Sequence, residues 1–205
     1  MQKKIVVHMY LKNGKAVTGF DGKELLEDGD VMSIAQHYSN NGADELLIFD
    51  LSDDDADHEQ SLNLIRQISR VIDIPMSGGG HIKNLEDVKK LLYAGCQQVF
   101  LNYAKAANIE LTEEVSKRFG KEKIAICTDS FAQLQANKAR VNEYTSRVIL
   151  LCDEVDVRTT ARLVEVPVLP VSTRADRHGL LKLLMLDNIC GVCGDTFSDL
   201  NEDLM

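Results

Sequence analysis

Short runs of apolar and β-branched residues alternate with amphipathic stretches along most of the chain. Each run predicts a strand, because a strand that is buried on both faces reads as an almost continuous apolar segment. The eight predicted strands cover Lys4–Met9, Glu45–Asp50, Ile74–Ser77, Gln98–Leu101, Lys123–Thr128, Arg147–Cys152, Pro167–Val171 and Ile189–Cys193.

The stretches between these runs have helical spacing. In "LEDVKKLLYAG", Leu85, Val88 and Leu91 fall on one helix face, and Gly95 provides a C-terminal stop. Eight strands that alternate with helices predict an α/β fold, a closed (β/α)8 TIM barrel. With 205 residues the barrel would be compact, since about 200 residues is the lower end of the usual range. An open doubly wound sheet is the structural alternative.

Two segments of the chain share one plan. "IDIPMSGGGHIKNLEDVKKLLYAGCQQVFLN" and "VEVPVLPVSTRADRHGLLKLLMLDNICGVCG" each contain an apolar-Pro step, a strand, a polar turn, a leucine-rich helix and a final strand. Pro75 and Pro167 occupy equivalent points in the two segments. This echo favours a barrel made of two related half-barrels.

Composition and charge narrow the class of protein. The length and a hydrophobic content of 44% predict a single globular domain over residues 1–205. The net charge of −9 argues against a nucleic-acid or anionic-membrane binder, which needs clustered Lys and Arg. No apolar run is long enough to span a membrane. Five cysteines without a secretory signal suggest a reducing, cytoplasmic location.

The stretch "IPMSGGGHI" (residues 74–82) contains three consecutive glycines before a predicted helix. One interpretation is close approach of backbone amides to a phosphate at a helix N-terminus. The other is a tight strand-to-helix turn without a ligand. The nine residues alone leave both open.

Several motifs together resemble the histidine-biosynthesis barrels, which comprise the cyclase subunit of imidazole-glycerol-phosphate synthase and the phosphoribosyl isomerase. The motifs are "IVVHMYLKNGKAVTG", "GADELLIFDLSD", "IDIPMSGGGHIKNLEDVKKLLYAG" and "VFLNYA". The resemblance covers residues 3–130 well and the remainder in outline. Asn102 favours the cyclase over the isomerase. The resemblance implies a (β/α)8 barrel whose substrate carries a phosphate at each end.

The resemblance also implies catalytic positions, of which this chain keeps only part. Asp129 in "IAICTDS" matches the strand-five aspartate, and Asp50 in "LLIFDLSD" matches the strand-two aspartate. Tyr10 stands where the family has the strand-one aspartate. Its phenol has an unperturbed pKa near 10, against about 4 for a carboxyl group, so it cannot act as a carboxylate base at neutral pH but can donate a proton.

The predicted phosphate-binding residues depart from the family pattern as well. By resemblance, Gly79, Gly80 and Asn102 would hold one phosphate. His81, which stands at the third glycine position, would help to bind it. In the second half, Ser172, Thr173 and Arg174 replace glycines, so any phosphate there would be bound through hydroxyl groups and a guanidinium, in a different geometry. Asp195 lies near the expected second phosphate and would repel it.

In the cyclase of this family, ammonia from a partner glutaminase enters through the barrel floor past charged residues. Lys4 and Glu45 match two of those positions, whereas Gln97 and Gln98 replace an acid and a base. The expected partners are therefore a phosphorylated small molecule, with either a glutaminase subunit or a second copy of the chain. No cofactor or metal is expected, because Cys190 and Cys193, three apart on a strand, would point to opposite faces.

The sequence supports two functional hypotheses. The first is an enzyme, a cyclase (lyase) or isomerase acting on a phosphorylated ribosyl-imidazole compound with Asp129 at its centre. The alternative is a catalytically silent barrel that binds a phosphate metabolite or a protein partner, since the strand-one carboxylate and the glycine loops have changed.

Overall fold

The computed structural model describes residues 2–153 and 155–197. Eight parallel strands of this part of the chain close into a barrel, because β1 pairs with β3 on one side and with β9 on the other. The predicted (β/α)8 fold is thereby confirmed, and the open-sheet alternative is excluded. The strands are β1 (Lys4–Lys12), β3 (Glu45–Asp50), β4 (Met76–Gly79), β5 (Gln98–Asn102), β6 (Ile124–Thr128), β7 (Arg147–Leu151), β8 (Val168–Ser172) and β9 (Gly191–Gly194).

A ninth strand, β2 (Lys15–Val17), pairs antiparallel with the end of β1 and was not predicted. The turn between them is Asn13-Gly14, where both residues have positive φ (49° and 72°). This is the sequence and geometry of a tight hairpin turn. The hairpin lengthens β1 beyond its predicted end at Met9 and brings the following loop over the mouth of the barrel.

Helices follow the strands around the outside of the barrel and become shorter along the chain. The last helices have five and seven residues, which is how the second half fits into the limited length. In the described residues the helices are α1 (Val31–Asn40), α2 (Asp55–Ile68), α3 (Leu85–Ala94), α4 (Ala106–Phe119), α5 (Phe131–Ala136), α6 (Lys138–Tyr144), α7 (Val157–Ala161) and α8 (Arg177–Leu183). None of these helices combines the length and the apolar character needed to cross a membrane.

Two apolar clusters stabilise the barrel. The larger one fills the space between strands and helices, and includes Leu46 and Ile48 of β3. The smaller one lies inside the barrel and includes Leu47 and Phe49 of the same strand. The split follows from the two-residue period of a strand, which sends alternate side chains inward and outward.

The two proline steps noted in the sequence occupy matching places in the barrel. The Pro75 carbonyl accepts a hydrogen bond from Leu46 N at 3.0 Å, and the Pro167 carbonyl accepts one from Val148 N at 3.0 Å. Each proline thus extends the pairing of its own strand with the strand before it. The equivalence supports the half-barrel relationship that the internal echo predicts.

Candidate functional site

Aromatic side chains fill much of the barrel interior at its mouth, the end formed by the carboxyl ends of the strands. The Phe49 ring stacks on Tyr10 with centroids 5.3 Å apart, and it contacts Phe100 at 5.1 Å. Phe20, from the loop after β2, packs on Tyr10 and Phe49 at 4.8 and 5.1 Å.

The three glycines of "IPMSGGGHI" are each explained by close packing within the chain. A Cβ on Gly78 would lie 2.8 Å from Cys96 Sγ, and one on Gly79 would lie 2.3 Å from the Phe100 ring. Gly80 has φ of +109°, and a Cβ there would lie 2.1 Å from the Asp50 carbonyl oxygen. Close packing of β4 accounts for Gly78 and Gly79, and the turn that follows the strand accounts for Gly80, in each case without a ligand. Phosphate binding by Gly79 and Gly80 stays a prediction.

His81 follows these glycines with a positive φ of 54°, which fits its place at a family glycine position. Its ring lies against the loop after β3. Nδ1 is 3.2 Å from the Ser52 carbonyl and Nε2 is 2.8 Å from Asp55 Oδ1. Hydrogen bonds from His81 and Lys83 lower the pKa of Asp55 to about 2. Both ring nitrogens of His81 therefore lie within hydrogen-bond distance of the chain's own carbonyl and carboxylate groups.

Asp50 points outward from the barrel and not into its mouth. It continues the outward register of Leu46 and Ile48, is 5% exposed, and lies against α2, where His58 Nδ1 is 2.5 Å from its Oδ2. Its other oxygen accepts hydrogen bonds from the amide and hydroxyl of Ser52. These contacts give Asp50 a structural position between β3 and α2.

Replacing Asp50 with alanine is expected to destabilise the fold by about 2–3 kcal/mol, because buried His58 and Ser52 lose a charged hydrogen-bond partner. Urea unfolding measures the change. The matched control is Asp53→Ala, which removes an exposed carboxylate of the same loop, paired with Lys12 at 3.0 Å, and is expected to cost less than about 1 kcal/mol. Equal stability of the two variants would contradict the structural role.

Asn102 ends β5 and caps the turn that follows it. Its Oδ1 accepts a hydrogen bond from Ala104 N at 2.9 Å, and its carbonyl accepts one from Lys105 N at 3.1 Å. The side chain is half-buried. The structure brings Asn102 to the same end of the barrel as Gly79 and Gly80, on the neighbouring strand.

In the second half of the barrel, the predicted phosphate-binding groups hold a carboxylate of the chain itself. Ser172 Oγ donates to Asp153 Oδ1, while the Thr173 amide and hydroxyl donate to Asp153 Oδ2 at 3.2 and 2.8 Å. Burial opposes ionisation, but these hydrogen bonds outweigh it and lower the pKa of Asp153. The Asp153 carboxylate therefore takes the position in which an external anion would meet these donors.

The side chain of Tyr10 lies inside the mouth, where the sequence places the family's strand-one acid. It is 3% exposed, and its hydroxyl oxygen has no hydrogen-bond partner among the described residues. Burial, and then the nearby Asp195 carboxylate, raise its pKa above the ordinary value for tyrosine. The phenol therefore stays protonated at neutral pH.

His8, two residues before Tyr10, is a buried polar residue that the sequence analysis did not select. Its Nε2 lies 2.6 Å from Asp195 Oδ1, and its Nδ1 lies 3.3 Å from Cys193 Sγ. The signal that could have revealed it is its place on the inward register of β1, with Val6 and Tyr10, in an otherwise apolar run. Asp195 thus contacts an imidazole at the mouth.

A pocket of about 310 Å³ opens beside His8 and Asp195, and we call it the mouth pocket. The loop after β2 covers one side, and the ends of β8 and β9 form the other. It is lined by His8, Tyr10, Val17, Thr18, Gly19, Phe20, Leu26, Tyr38, Thr173 and Asp195.

Asp129 lies in a different pocket. It is exposed at the end of β6, and the pocket of about 410 Å³ that it lines is formed with Ser130, Phe131 and residues of the loop before α7 and of α7 itself. Tyr10 does not line this pocket. The two residues that the sequence paired as acid and base therefore face separate pockets.

Charged residues cross the barrel at its floor, the end formed by the amino ends of the strands. Arg147 Nη1 and Nη2 donate to the two carboxylate oxygens of Glu45 at 3.0 and 2.7 Å. Ser77 donates to Glu45 at 2.8 Å, and Lys4 Nζ reaches it at 3.1 Å. Burial opposes ionisation, but Arg147 outweighs it and lowers the pKa of Glu45 to about 2.

Because β7 is the fourth strand from β3 in either direction around the barrel, the Arg147–Glu45 pair spans the interior. A cavity of about 390 Å³ lies at this end and is lined by Lys4, Gln97 and Gln98 as well as by the pair. Gln98 donates a hydrogen bond to Ser146 Oγ at 2.7 Å, and this bond links two residues of the cavity wall. Lys4 and Glu45 lie at the floor as predicted, and Arg147 joins them as a residue that the sequence pattern did not reveal.

The two cysteines of the C-x-x-C motif do not point to opposite faces of the sheet. Cys190 and Cys193 both belong to the apolar cluster inside the barrel, so the expectation of opposite faces is wrong. The reason is that Cys190 precedes β9, where the strand alternation does not yet apply. Among the described residues no group of His, Cys, Asp and Glu side chains is arranged to hold a metal ion.

Comparisons with known proteins identify relatives of this barrel. A sequence model of the family described as "Histidine biosynthesis protein" matches residues 4–187. The protein named imidazole glycerol phosphate synthase subunit HisF from Haemophilus influenzae is 32% identical over 162 residues, which is 78% of this chain and 60% of that protein. The proteins of the same name from Flavobacterium psychrophilum and Helicobacter hepaticus are 33% and 34% identical, each over 63% of this chain and 52% and 51% of their own length.

This chain thus spans between half and three fifths of the length of these curated relatives. The family match covers most of the chain, and the closed barrel agrees with it. On this sequence and fold, the chain belongs to the histidine biosynthesis protein family.

Proposed function

We propose that this chain is a barrel of the histidine-biosynthesis family that has lost the family's acid–base reaction and binds a small molecule in its mouth pocket. The observation that carries the proposal is the Asp153 carboxylate, which occupies the hydrogen-bond donors of Ser172 and Thr173. A substrate phosphate at that position would have to displace an anion of like charge that is already held by three hydrogen bonds.

The arrangement of the acid–base candidates supports the same proposal. The family reaction needs one group that donates a proton while an opposed group accepts one. Here Tyr10 has a raised pKa and faces the mouth pocket, whereas Asp129 lines a separate pocket. A substrate held between two carboxylates has no counterpart in this geometry.

The floor of the barrel supports a protein that works without a glutaminase. Gln97 and Gln98 line the floor cavity in place of the acid and the base that the resemblance implies. The remaining charged groups are bonded to one another, since the Arg147–Glu45 pair spans the interior and is further bonded by Ser77. In this proposal, ammonia does not reach the mouth from below.

The direct test is complementation of bacterial strains that lack the cyclase or the isomerase of histidine biosynthesis. We expect no growth without histidine in either strain, with expression of the chain verified by immunoblot. A strain complemented by the relative from Haemophilus influenzae is the positive control. Growth that is supported by this chain and lost in Asp129→Asn would overturn the proposal in favour of an enzyme.

A binding experiment tests the occupied anion site. Asp153→Ala is expected to bind inorganic phosphate through the freed Ser172 and Thr173 donors, whereas the wild type gives no heat on titration with phosphate. Asp129→Ala is the matched control, since it removes the same charge from the mouth without touching these donors. Phosphate binding by the wild type, with amide shifts at Gly79 and Gly80 in NMR spectra, would instead support the family's phosphate site.

The His8–Asp195 contact favours a second candidate function, an enzyme with different proton-transfer groups. An imidazole that is held by a carboxylate can accept and return a proton next to a bound ligand. His8→Gln would abolish such an activity while leaving ligand binding measurable. Turnover of any bound compound that His8→Gln removes would favour this candidate over a pure binding function.

A further inference from the structure

The walls of the mouth pocket are aromatic and apolar. The rings of Tyr10, Phe20 and Tyr38 line it together with Val17 and Leu26. Phe20, at the outer rim, is 48% exposed although it is a large apolar side chain. At about 310 Å³, the pocket is large enough for a compound of one ring or similar bulk.

The polar groups of the pocket carry negative charge and one unsatisfied hydroxyl. Among the described residues that line it there is no Lys or Arg, and the charged carboxylate is Asp195. Asp153 lies directly behind Thr173, to which it is hydrogen-bonded. Two carboxylates thus lie at this side of the mouth, with the Asp195 carboxylate in the lining and the Asp153 carboxylate behind it.

The Tyr10 hydroxyl is an independent sign of a ligand. It is buried, it lines the pocket, and it has no hydrogen-bond partner among the described residues. A buried hydroxyl without a partner costs about 1–3 kcal/mol, so a hydrogen bond from a molecule in the pocket would stabilise it. Its oxygen can accept a hydrogen bond from an N–H donor in the pocket.

We propose that the mouth pocket binds a small organic cation, an amine attached to an apolar or aromatic body. The ammonium group lies at the Asp195 side, where it pairs with the carboxylate and donates a hydrogen bond to the Tyr10 oxygen. The apolar body lies against the aromatic lining formed by Phe20 and Tyr38, which removes its surface from water. The inference rests on the proposed function, because it takes the mouth pocket as the ligand site.

The same features argue against the anionic ligand that the family resemblance implies. A phosphate in this pocket would face Asp195 and would find no Lys or Arg in the described lining. The position of Ser172 and Thr173, which could have offered hydroxyl donors, is taken by Asp153. The change from Asp to Tyr at position 10 thus accompanies a change in the charge of the ligand.

The test compares benzylamine, benzyl alcohol and benzoate, which share one ring and differ in charge. Isothermal titration calorimetry of the full chain at pH 7 and low salt measures their affinities, and NMR shifts of the Thr18, Gly19 and Thr173 amides locate the site. We expect benzylamine to bind at least about tenfold more tightly than benzoate, with benzyl alcohol between them, and its affinity to fall with added salt.

Two variants and a control separate charge from shape. Asp195→Asn is expected to weaken benzylamine about tenfold and to leave benzyl alcohol nearly unchanged. Phe20→Ala, at the exposed rim, is expected to weaken all three compounds. Asp187→Asn removes one charge from an exposed position outside the mouth pocket and is expected to change none of the affinities.

The possible failures are distinguishable. Benzoate binding as tightly as benzylamine, with shifts at the same amides, would overturn the cation inference and leave the mouth pocket as a ligand site. Absence of binding by all three compounds at millimolar concentration would overturn the cation inference. Complementation by the chain would overturn the proposed loss of the family reaction, whatever benzylamine does.

Discussion

Replacing Arg147 with methionine is expected to lower the free energy of unfolding by about 3–5 kcal/mol. Arg147 is 8% exposed and neutralises Glu45, which is 3% exposed. Methionine fills much of the same volume but leaves the Glu45 carboxylate buried with only Lys4 and Ser77 as partners. An uncompensated buried charge is far more costly than the loss of the attraction alone suggests. Urea unfolding followed by circular dichroism measures the change.

Two controls test this explanation. Lys4→Met removes the outer cation of the same cluster, whose side chain is 43% exposed, and is expected to cost less than about 1 kcal/mol. The double variant Arg147→Met/Glu45→Met replaces the pair by apolar groups and is expected to regain most of the loss. A double variant as unstable as Arg147→Met alone would contradict the account, because it would place the cost in packing and not in charge.

The pH dependence of stability follows from the same pair. The pKa of Glu45 is about 2 in the folded chain, against an ordinary value of 4.5, so the unfolded state binds the proton more tightly. Ionised Glu45 therefore contributes about 3 kcal/mol to the free energy of unfolding. This stabilisation is complete above pH 4.5 and is lost as the pH falls toward 2. In Arg147→Met the acid-induced loss over this range is expected to shrink.

Replacing Gly80 with alanine is expected to destabilise the chain by about 3–5 kcal/mol, which combines overpacking and a left-handed backbone for a non-glycine residue. The new Cβ would lie 2.1 Å from the Asp50 carbonyl oxygen, and backbone atoms cannot move aside as a flexible side chain can. Thermal and urea unfolding measure the change.

Gly42→Ala separates the cost of overpacking from the cost of the left-handed backbone. Gly42 has φ of +92°, similar to the +109° of Gly80, but a Cβ there would have no neighbour within 4 Å. We expect it to cost only about 1–2 kcal/mol, the price of the backbone conformation alone. Similar losses in the two variants would show that the close approach to Asp50 is relieved by a small shift, and that packing does not explain the glycine at position 80.

The barrel itself was largely predictable from the sequence. All eight parallel strands lie where apolar runs predicted them, because parallel strands covered by helices are buried on both faces and leave a continuous signal. β2 was missed because three residues are too short for a periodic pattern, although Asn13-Gly14 is a strong turn signal. The limited length of the chain predicted short helices in the second half of the barrel, and the five residues of α7 confirm it.

The site was only partly predictable. Sequence comparison placed Tyr10 in the mouth and Lys4 and Glu45 at the floor, since these positions follow from strand register. It could not show that Asp153 would bind Ser172 and Thr173, because Asp153 follows β7 whereas the other two residues lie at the end of β8. His8 and Arg147 were overlooked because a single polar residue in an apolar run does not reveal which buried partner it meets.

The sequence by itself determined the order of the elements, the closed parallel barrel and the loss of the strand-one carboxylate, all of which depend on local pattern and residue identity. Only the tertiary structure decided which charged groups meet: Arg147 with Glu45 across the barrel, His8 with Asp195, and Asp153 with Ser172. The physical reason is that a buried charge is stable only beside its partner, and those partners lie 19 to 187 residues apart along the chain.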